Sequence, residues 1–517
     1  MNKNIKKVMK VCCAVCIFMI VVFTFSKTIK SSAASGDFII ENGVLIRYQG
    51  KAKEVIIPKS VKEIGKEAFK YNSEITSVVI PDTVKKIGYF AFSCCTNLKS
   101  AKIPNSVKTI EFSAFMSCTG LESITIPESV KTIEDRTFWN CKKLKNIKIL
   151  NKDIYIGNEV FEENAWVKNY KNKFVMINEN LIKYKGNDSI VEIPDKVRVI
   201  CGGAFTNKGS LKKVTLPKSV KIIGNNAFDL CTKLEEVNMT DFVVKIDDYA
   251  FNQCYKLYNI KLSNNLKEIG DVAFYDSGLV SISIPDSVER IGESCFSECK
   301  YLSNVELPET LTNIDPDAFV WSAWNKKIIE ESNEEFCIVN GMLFGYKGTA
   351  KVVSIPDGVI AIMAEAFRGK NITKVVVPDS VTEIGYCAFH SCKNLKSIRF
   401  SESIKNIKMG AFRDCTSLKT INLPNELAYI GEDAFYNCSS LITVEIPSKV
   451  KYIDHSAFSY CTNLEKVSIP KSVNEFGYSI FYNCLKIRYI YCNKNSMAYE
   501  YAKSVAGNNN ISIKIIK

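Results

Sequence analysis

Cysteine and histidine are the side chains of this chain best suited to metal binding or nucleophilic chemistry, and their spacing decides between such uses. The sequence has 20 cysteines and two histidines. Most cysteines after residue 34 recur three residues after a phenylalanine, at Cys95, Cys118, Cys141, Cys231, Cys254, Cys299, Cys392, Cys415, Cys438, Cys461 and Cys484. This long spacing is unlike the C-x-x-C spacing of zinc sites and predicts small, buried, unpaired thiols. We call these recurring cysteines the cysteine ladder. Disulfide bonds between cysteines of neighbouring coils are the alternative, and metal binding is less favoured.

The two histidines and the paired acidic residues form no catalytic pattern. His390 and His455 occupy variable positions beside a recurring phenylalanine and are predicted to be mobile surface side chains. The run Asp454-His455-Ser456 has the residue types of a triad, but adjacent residues cannot adopt triad geometry. Adjacent carboxylates occur as isolated pairs, at Glu235-Glu236 and Asp247-Asp248. No Gly-rich phosphate loop follows a strand. The sequence therefore predicts a non-enzymatic protein with no catalytic, cofactor-binding or metal-binding residues.

A recurring phenylalanine defines the elements that position all other residues. Seventeen phenylalanines follow one another in three groups at steps of 23 residues, twice shortened to 22. They are Phe69, Phe92, Phe115, Phe138 and Phe161; Phe205, Phe228, Phe251, Phe274, Phe296 and Phe319; and Phe367, Phe389, Phe412, Phe435, Phe458 and Phe481. A constant period of this length predicts a solenoid in which each coil covers its neighbour. Burial of each ring is worth about 2–3 kcal/mol.

Residues 115–138 show one repeat unit. Leu121–Ile126 alternates apolar and polar residues and predicts a half-buried strand that Pro127 ends. Val130 and Ile133 predict a second short extended segment. Alanine precedes most of the recurring phenylalanines and predicts a short helical turn. Glycine stands four residues before the phenylalanine in nine units, where we expect a positive φ, at Gly65, Gly88, Gly157, Gly224, Gly270, Gly292, Gly385, Gly431 and Gly477.

Three similar segments interrupt or precede the repeats and predict β-hairpins. They start at Phe38, Phe174 and Phe336; two contain Asn-Gly, whereas Glu179-Asn180 is expected to weaken the turn in the second. Trp166 and Trp324 precede two of the hairpins and are interpreted as plugs that close a block of coils, with stacking on a ligand as the alternative.

These boundaries predict five segments. Residues 1–34 form a secretory signal peptide, and residues 35–170, 171–331 and 332–492 each form a hairpin followed by a block of repeats. Residues 493–517 form a C-terminal cap, in which Met497, Ala498, Tyr501, Ala502 and Val505 lie on one helical face stopped by Gly507, followed by a strand.

The N-terminus has the order of a secretory signal: lysines, an apolar run at 11–25, and small residues around Ala34, where cleavage is expected. An uncleaved anchor is the alternative. Removing residues 1–34, which contain six lysines and no acidic residue, lowers the formal net charge from +13 to about +7. Lysine and glutamate are interleaved after that point, so the charge does not predict nucleic-acid binding. No later segment predicts a stable membrane span.

The pattern Leu-x-x-Ile-x-Ile-Pro-x-Ser-Val-x-x-Ile-Gly-x-x-Ala-Phe-x-x-Cys resembles the BspA-type leucine-rich repeat over almost the whole mature chain. The resemblance implies a β-rich α/β solenoid: a right-handed superhelix of about 17 coils with short strands and short helical turns. It also implies a secreted or cell-surface protein, since some members are adhesins for host matrix proteins or other bacteria. It adds no catalytic residue.

The sheet of Leu/Ile-x-x-Φ-x-Φ strands is the expected recognition surface, because two side chains per strand should face outward. From Ile75 to Leu464 these positions are mostly Ser, Thr, Asn, Lys or Arg and include no aromatic residue. This favours a polar contact with proteins over stacking on sugars, although such residues also keep a sheet soluble. The candidate binding residues are Ser123, Thr125, Asn146, Lys148, Lys213, Thr215, Asn259, Lys261, Asn304, Arg399, Asn422 and Lys466.

The sequence thus predicts protein recognition at or near the cell surface, with adhesion to host matrix proteins or other cells as the expected role. A structural surface spacer that binds nothing and an accessory protein of an extracellular enzyme are the alternatives. An extracellular enzyme is a further rival, but the repeats leave no room for a catalytic domain.

Overall fold

The computed structural model describes residues 35–506 and 511–516. The predicted signal peptide with its cleavage site, and Gly507, lie outside the described residues. The described residues divide into two compact units, the first comprising residues 35–187, Lys196–Phe205 and Ile223–Ala227, and the second comprising Asp188–Asp195, Thr206–Ile222 and the described residues from Phe228 onward. Within the described residues, no helix combines the length and apolar character needed to cross a membrane. The five predicted segment boundaries stay predictions.

Most of the described coils contribute two short strands, which confirms the predicted solenoid. The leucine-side strands follow the recurring Leu or Ile and pair in parallel, as in Ser123–Ile126 with Asn146–Ile149. They are Glu54–Ile56, Ser77–Val79, Ser100–Lys102, Ser123–Ile126, Asn146–Ile149, Ile190–Glu192, Lys213–Thr215, Glu236–Asn238, Ser281–Ser283, Asn304–Glu306, Val352–Ser354, Lys374–Val376, Ser397–Arg399, Thr443–Glu445, Lys466–Ile469 and Tyr489–Asn493.

The isoleucine-side strands are two residues long and precede the phenylalanine turn. They pair in parallel as well, for example Thr132–Ile133 with Thr109–Ile110. They are Glu63–Ile64, Lys86–Ile87, Thr109–Ile110, Thr132–Ile133, Tyr155–Ile156, Val199–Ile200, Ile222–Ile223, Lys245–Ile246, Glu268–Ile269, Arg290–Ile291, Ala361–Ile362, Glu383–Ile384, Asn406–Ile407, Tyr429–Ile430, Tyr452–Ile453 and Glu475–Phe476.

The phenylalanines form the centre of the core, as predicted. All seventeen rings are buried, with at most 7 % of any residue exposed. Rings of neighbouring coils stack nearly parallel, at centroid distances from 4.7 Å for Phe69–Phe92 to 5.9 Å for Phe458–Phe481. The preceding alanines lie in a run of tight turns, and the backbone bonds run between coils, as from Phe69 N–H to Ala91 O at 2.7 Å. Each ring therefore holds two coils together.

The recurring glycine does not have the expected positive φ, so that prediction is wrong. Positive φ values fall two residues before and two residues after the phenylalanine, as at Asp433 and Asn437 around Phe435. Glycine is needed for another reason: a Cβ on Gly431 would lie 2.7 Å from the backbone nitrogen of Met409 in the preceding coil. The glycine is therefore needed because two coils approach closely at this position, and not because the backbone makes a left-handed turn.

The ladder cysteines have a hydrogen-bonding role that explains their position. Among the described cysteines, all except Cys94 are buried. The Sγ of Cys118 donates to the carbonyl oxygen of Phe92 in the preceding coil at 3.1 Å, and the same bond recurs along the ladder to Cys484. Asn164 fills this position in its coil and donates to Phe138 O at 2.9 Å. In these coils the side chain at this position satisfies a buried carbonyl of the preceding coil.

The three predicted hairpins are present and antiparallel. Their strands are Phe38–Glu41 with Val44–Tyr48, Phe174–Ile177 with Asn180–Tyr184, and Phe336–Val339 with Met342–Tyr346. In the second hairpin the turn is Asn178-Glu179 rather than Glu179-Asn180, with Asn178 at φ 55°. Asparagine tolerates this conformation, so the turn forms without glycine.

Three helices and one strand close the coils. A 3₁₀ turn, Ser35–Asp37, precedes the first hairpin, and the helices are α1 (Ala165–Asn169), α2 (Ala323–Glu331) and α3 (Met497–Ala506). Trp166 in α1 and Trp324 in α2 pack edge-on against Phe161 and Phe319, at 5.7 and 4.7 Å, as expected of plugs. The final strand, Ser512–Ile516, pairs in parallel with Tyr489–Asn493.

Candidate protein-interaction surface

Along the leucine-side strands, inward and outward side chains alternate, and two side chains of each strand face outward. In Ser123–Ile126, Ile124 and Ile126 are buried, whereas Ser123 and Thr125 are exposed. Because the register aligns Asn146 with Ser123, and Lys148 with Thr125, equivalent outward residues of neighbouring coils lie side by side. The alternation found in the sequence therefore produces continuous outward rows wherever strands pair.

The outward orientation of the candidate binding residues agrees with the sequence analysis. Lys213 and Thr215 are half-buried, and the others are exposed, namely Ser123, Thr125, Asn146, Lys148, Asn259, Lys261, Asn304, Arg399, Asn422 and Lys466. Their role in binding stays a prediction.

Two of the expected strands do not form regular ladders. Asn259 and Lys261 lie in a segment without strand pairing, and Asn422 follows the isolated bridge between Thr420 and Thr443. The inward side chains of the first segment, Ile260 and Leu262, are still buried. Core packing therefore keeps the segment on the path of the coil even though its backbone does not complete a ladder.

The outward cations differ in how strongly they are neutralised. Lys213 Nζ lies 2.8 Å from a carboxylate oxygen of Glu236, and this hydrogen bond lowers the pKa of Glu236. Arg399 lies 3.7 Å from Asp379. Lys148 and Lys261 have no ion-pair partner among the described residues, nor has Lys466. The unpaired lysines are thus the outward cations most available to an acidic partner.

The sequence analysis missed two aromatic residues of this surface. The strand Tyr489–Asn493 extends the outward rows, with Tyr489 opposite Lys466 and Tyr491 opposite Ser468. Both tyrosines are half-buried, and Lys514 Nζ lies 5.6 Å from the Tyr489 ring. The alternation of Tyr489 through Cys492 is the available signal, but it lies beyond the strand of Leu464, where the outward positions taken from the sequence end.

The histidines and paired acidic residues have structural partners. His390 is not a mobile surface residue: its side chain is 17 % exposed and its Nε2 lies 3.2 Å from Asp414 Oδ2. His455 is more exposed, and its Nδ1 accepts the Tyr478 N–H at 2.6 Å. The acidic pairs form hydrogen bonds or ion pairs with neighbouring coils; for example, Asp248 Oδ1 accepts the Asp271 N–H at 2.8 Å. Across residues 35–506 and 511–516, no group of three His, Cys, Asp or Glu side chains is placed to hold a metal ion.

Comparison with known proteins identifies the repeat. The family model described as "BspA type Leucine rich repeat region (6 copies)" matches residues 45–167, 175–282, 267–396 and 382–504. A search of curated proteins gave no match.

Solved structures of leucine-rich repeat proteins are also similar. A protein from Bacteroides ovatus is 23 % identical, with 94 % of this chain and 91 % of that chain covered and a TM-score of 0.26. A leucine-rich cell surface protein from Faecalibacterium prausnitzii is 24 % identical, covering 94 % and 100 %, with a TM-score of 0.25. The pneumococcal vaccine antigen PcpA is 16 % identical, covering 93 % and 96 %, with a TM-score of 0.24.

Proposed function

Because the chain belongs to the BspA-type leucine-rich repeat family, we propose that it is an exported, non-enzymatic protein that recognises other proteins at or near the cell surface. Adhesion to host matrix proteins or to other cells is its proposed role. The observation that carries this proposal is the outward rows of Ser, Thr, Asn and Lys side chains on paired leucine-side strands, whose inward side chains are buried in the core. Such a surface suits a broad polar contact.

Export rests on the N-terminal pattern of lysines, apolar residues and small residues. Expression of the full gene product with analysis of the culture medium and surface fraction tests it. We expect protein that begins at or near Ser35, measured by N-terminal mass spectrometry. Protein found intact in the cytoplasm would contradict export.

A binding screen tests recognition. The purified protein is presented to immobilised matrix proteins and to whole cells, and saturable binding is measured by surface plasmon resonance. The variant K148E/K261E reverses two unpaired outward lysines and is expected to weaken binding to an acidic partner, mainly through a slower association rate. The matched control K59E/K471E changes two exposed lysines in turns outside the strands and should bind as the parent does.

The same samples separate the alternatives. No saturable binding to any matrix protein or cell would favour a structural spacer. Hydrolysis of glycans or peptides by the purified protein would contradict the non-enzymatic assignment. Co-purification with a secreted enzyme, without binding to cells, would favour an accessory role.

A further inference from the structure

At the third hairpin the stack of coils is interrupted, and a lysine joins the two sides of the interruption. Lys408 occupies the position that is glycine in nine coils, and its Nζ lies 2.8 Å from Asp315, 3.2 Å from Asp317 and 3.2 Å from Glu293. The Ala364 N–H also donates to Pro316 O at 3.0 Å. The turn that precedes Phe319 therefore lies against successive turns of the coils after the hairpin. We call this contact the 315–408 junction.

The strand that ends the coils before the junction has an open edge. The Ile291 N–H donates to Asn313 O at 3.0 Å, and the Asp315 N–H donates to Ile291 O at 3.0 Å. In a parallel ladder this pattern turns the N–H and C=O of Ile314 to the opposite side. Neither group of Ile314 has a hydrogen-bond partner among the described residues. One donor and one acceptor of the backbone are thus available for an added strand.

A polar cleft of about 230 Å³ lies beside this edge. Its walls include Arg290, Asn313 and Ile314 on one side and Ala361 and Glu383 on the other. The cleft is therefore bounded by an unpaired strand edge and by the outward face of the isoleucine-side strands after the hairpin.

Glu383 is a carboxylate of the cleft that has no direct ion pair among the described residues. Its carboxylate has no hydrogen bond or ion pair among the described residues, whereas Arg290 is held by Glu268 and Asp271. Lys408 is likewise held by three carboxylates. Burial and the nearby Asp315 raise the pKa of Glu383. Lys408 and Lys405 act in the opposite direction, but neither pairs directly with Glu383, so a cation placed beside it would meet a carboxylate that no other cation contacts.

The corresponding strand end before the second hairpin is not open in the same way, so the open edge is not a general feature of the repeat. There the Ile156 carbonyl accepts the Gly202 N–H at 3.5 Å. Tyr155 and Val199 stand where Asn313 and Ala361 line the cleft. The smaller residues leave the space open at the 315–408 junction.

We propose that the cleft at the 315–408 junction binds an extended peptide segment that carries a lysine or arginine. The peptide backbone pairs with the N–H and C=O of Ile314 as an added strand, and its cationic side chain lies beside Glu383. This site is separate from the outward rows of the leucine-side strands and does not depend on the function proposed for them.

Titration calorimetry with three peptides and the full-length protein tests this proposal. The probes are acetyl-Val-Lys-Val-amide, the same peptide with glutamate in place of lysine, and the lysine peptide methylated on the lysine backbone nitrogen. We expect the lysine peptide to bind at least about fivefold more tightly than either of the others, since each lacks one contact.

Variants locate the site. Glu383→Gln should weaken binding of the lysine peptide at least about fivefold, whereas Glu475→Gln, at the same position of a distant coil, should not. N313Y/A361V, which introduces the larger residues found at the equivalent positions before the second hairpin, should abolish binding while circular dichroism shows a folded protein. K148E/K261E should bind the peptide as the parent does, which separates this site from the surface proposed above. Equal binding of the three peptides, no binding at about 5 mM, or full binding by N313Y/A361V would overturn the proposal.

Discussion

The thiol of Cys415 donates a hydrogen bond to the carbonyl oxygen of Phe389 in the preceding coil, across 3.2 Å. The ring of Phe389 meanwhile stacks on Phe412, at a centroid distance of 5.1 Å. One residue thus contributes its ring to the stack while its carbonyl is satisfied by the next coil. The cysteine ladder and the phenylalanine ladder are therefore parts of the same contact between coils.

Cys415→Ala should lower the free energy of unfolding by about 1–3 kcal/mol, because the buried carbonyl of Phe389 loses its donor. Cys415→Ser should lower it less, since serine keeps a small donor and occurs naturally at this position as Ser322. Urea unfolding followed by circular dichroism measures both. Cys94→Ala, at the half-exposed cysteine, is the control and should change stability by less than about 0.5 kcal/mol. Equal effects of C415A and C94A would contradict this role of the thiol.

Gly431→Ala should lower the free energy of unfolding by about 1–3 kcal/mol, because the added methyl group would overlap the backbone of Met409. Gly209→Ala is the matched control: its Cβ would meet no atom closer than Thr232 Oγ1 at 3.9 Å. That variant should be unchanged or stabilised by up to about 1 kcal/mol. Both are compared by urea unfolding. If G431A were as stable as the parent protein, close approach would not be the reason for the glycine.

Lys408→Met should destabilise the 315–408 junction by about 3–5 kcal/mol, because it leaves buried carboxylates without their cation. Burial would lower the pKa of Lys408, but Asp317, Asp315 and Glu293 together raise it. Lys405→Met, at an exposed lysine three residues earlier, should have little effect. Limited proteolysis around residues 332–335 and urea unfolding measure the difference.

The effect of Lys408→Met should also depend on pH. Burial raises the pKa of Asp317 to about 6, although Lys408 opposes this rise. An acid with a raised pKa in the folded state contributes stability below its unfolded pKa near 4, and this contribution is lost as pH rises through 6. Without Lys408 the pKa of Asp317 in the folded protein rises further, so more stability is lost between pH 4 and pH 7. The variant should therefore be less destabilised at pH 4 than at pH 7. Equal destabilisation at both values would argue against a buried charge cluster.

Alkaline pH should unfold the protein through its buried thiols. Burial raises the pKa of Cys95 and of Cys392 to about 12, whereas an unfolded cysteine titrates near 8.5. The folded protein therefore favours the protonated thiols. This contribution to stability is complete below about pH 8.5 and is lost towards pH 12, at about 1.4 kcal/mol per pH unit for each thiol.

The urea midpoint should accordingly fall steeply between pH 8.5 and 10. The double variant C95S/C392S should show a shallower fall, since two titrating groups are removed. A midpoint that does not change over this range would contradict the burial of the thiols.

The sequence by itself determined the solenoid, the three hairpins and the positions of the buried rings. A nearly constant interval within each of the three groups of phenylalanines requires equivalent environments, so periodicity maps directly onto stacking. Alternation likewise decided which side of a leucine-side strand faces outward, as at Ser123 and Ile124. These features depend on neighbours within one repeat length, which the sequence displays.

Only the tertiary structure decided why certain small residues recur and where the stack is interrupted. Gly431 is small because another coil lies against it, and Cys415 is a donor because a carbonyl from that coil lacks one. The contact of Lys408 with Asp315 joins residues 93 positions apart in the chain. No period predicts such a contact, because it depends on how the hairpin redirects the coils. The cleft beside Ile314 exists for the same reason.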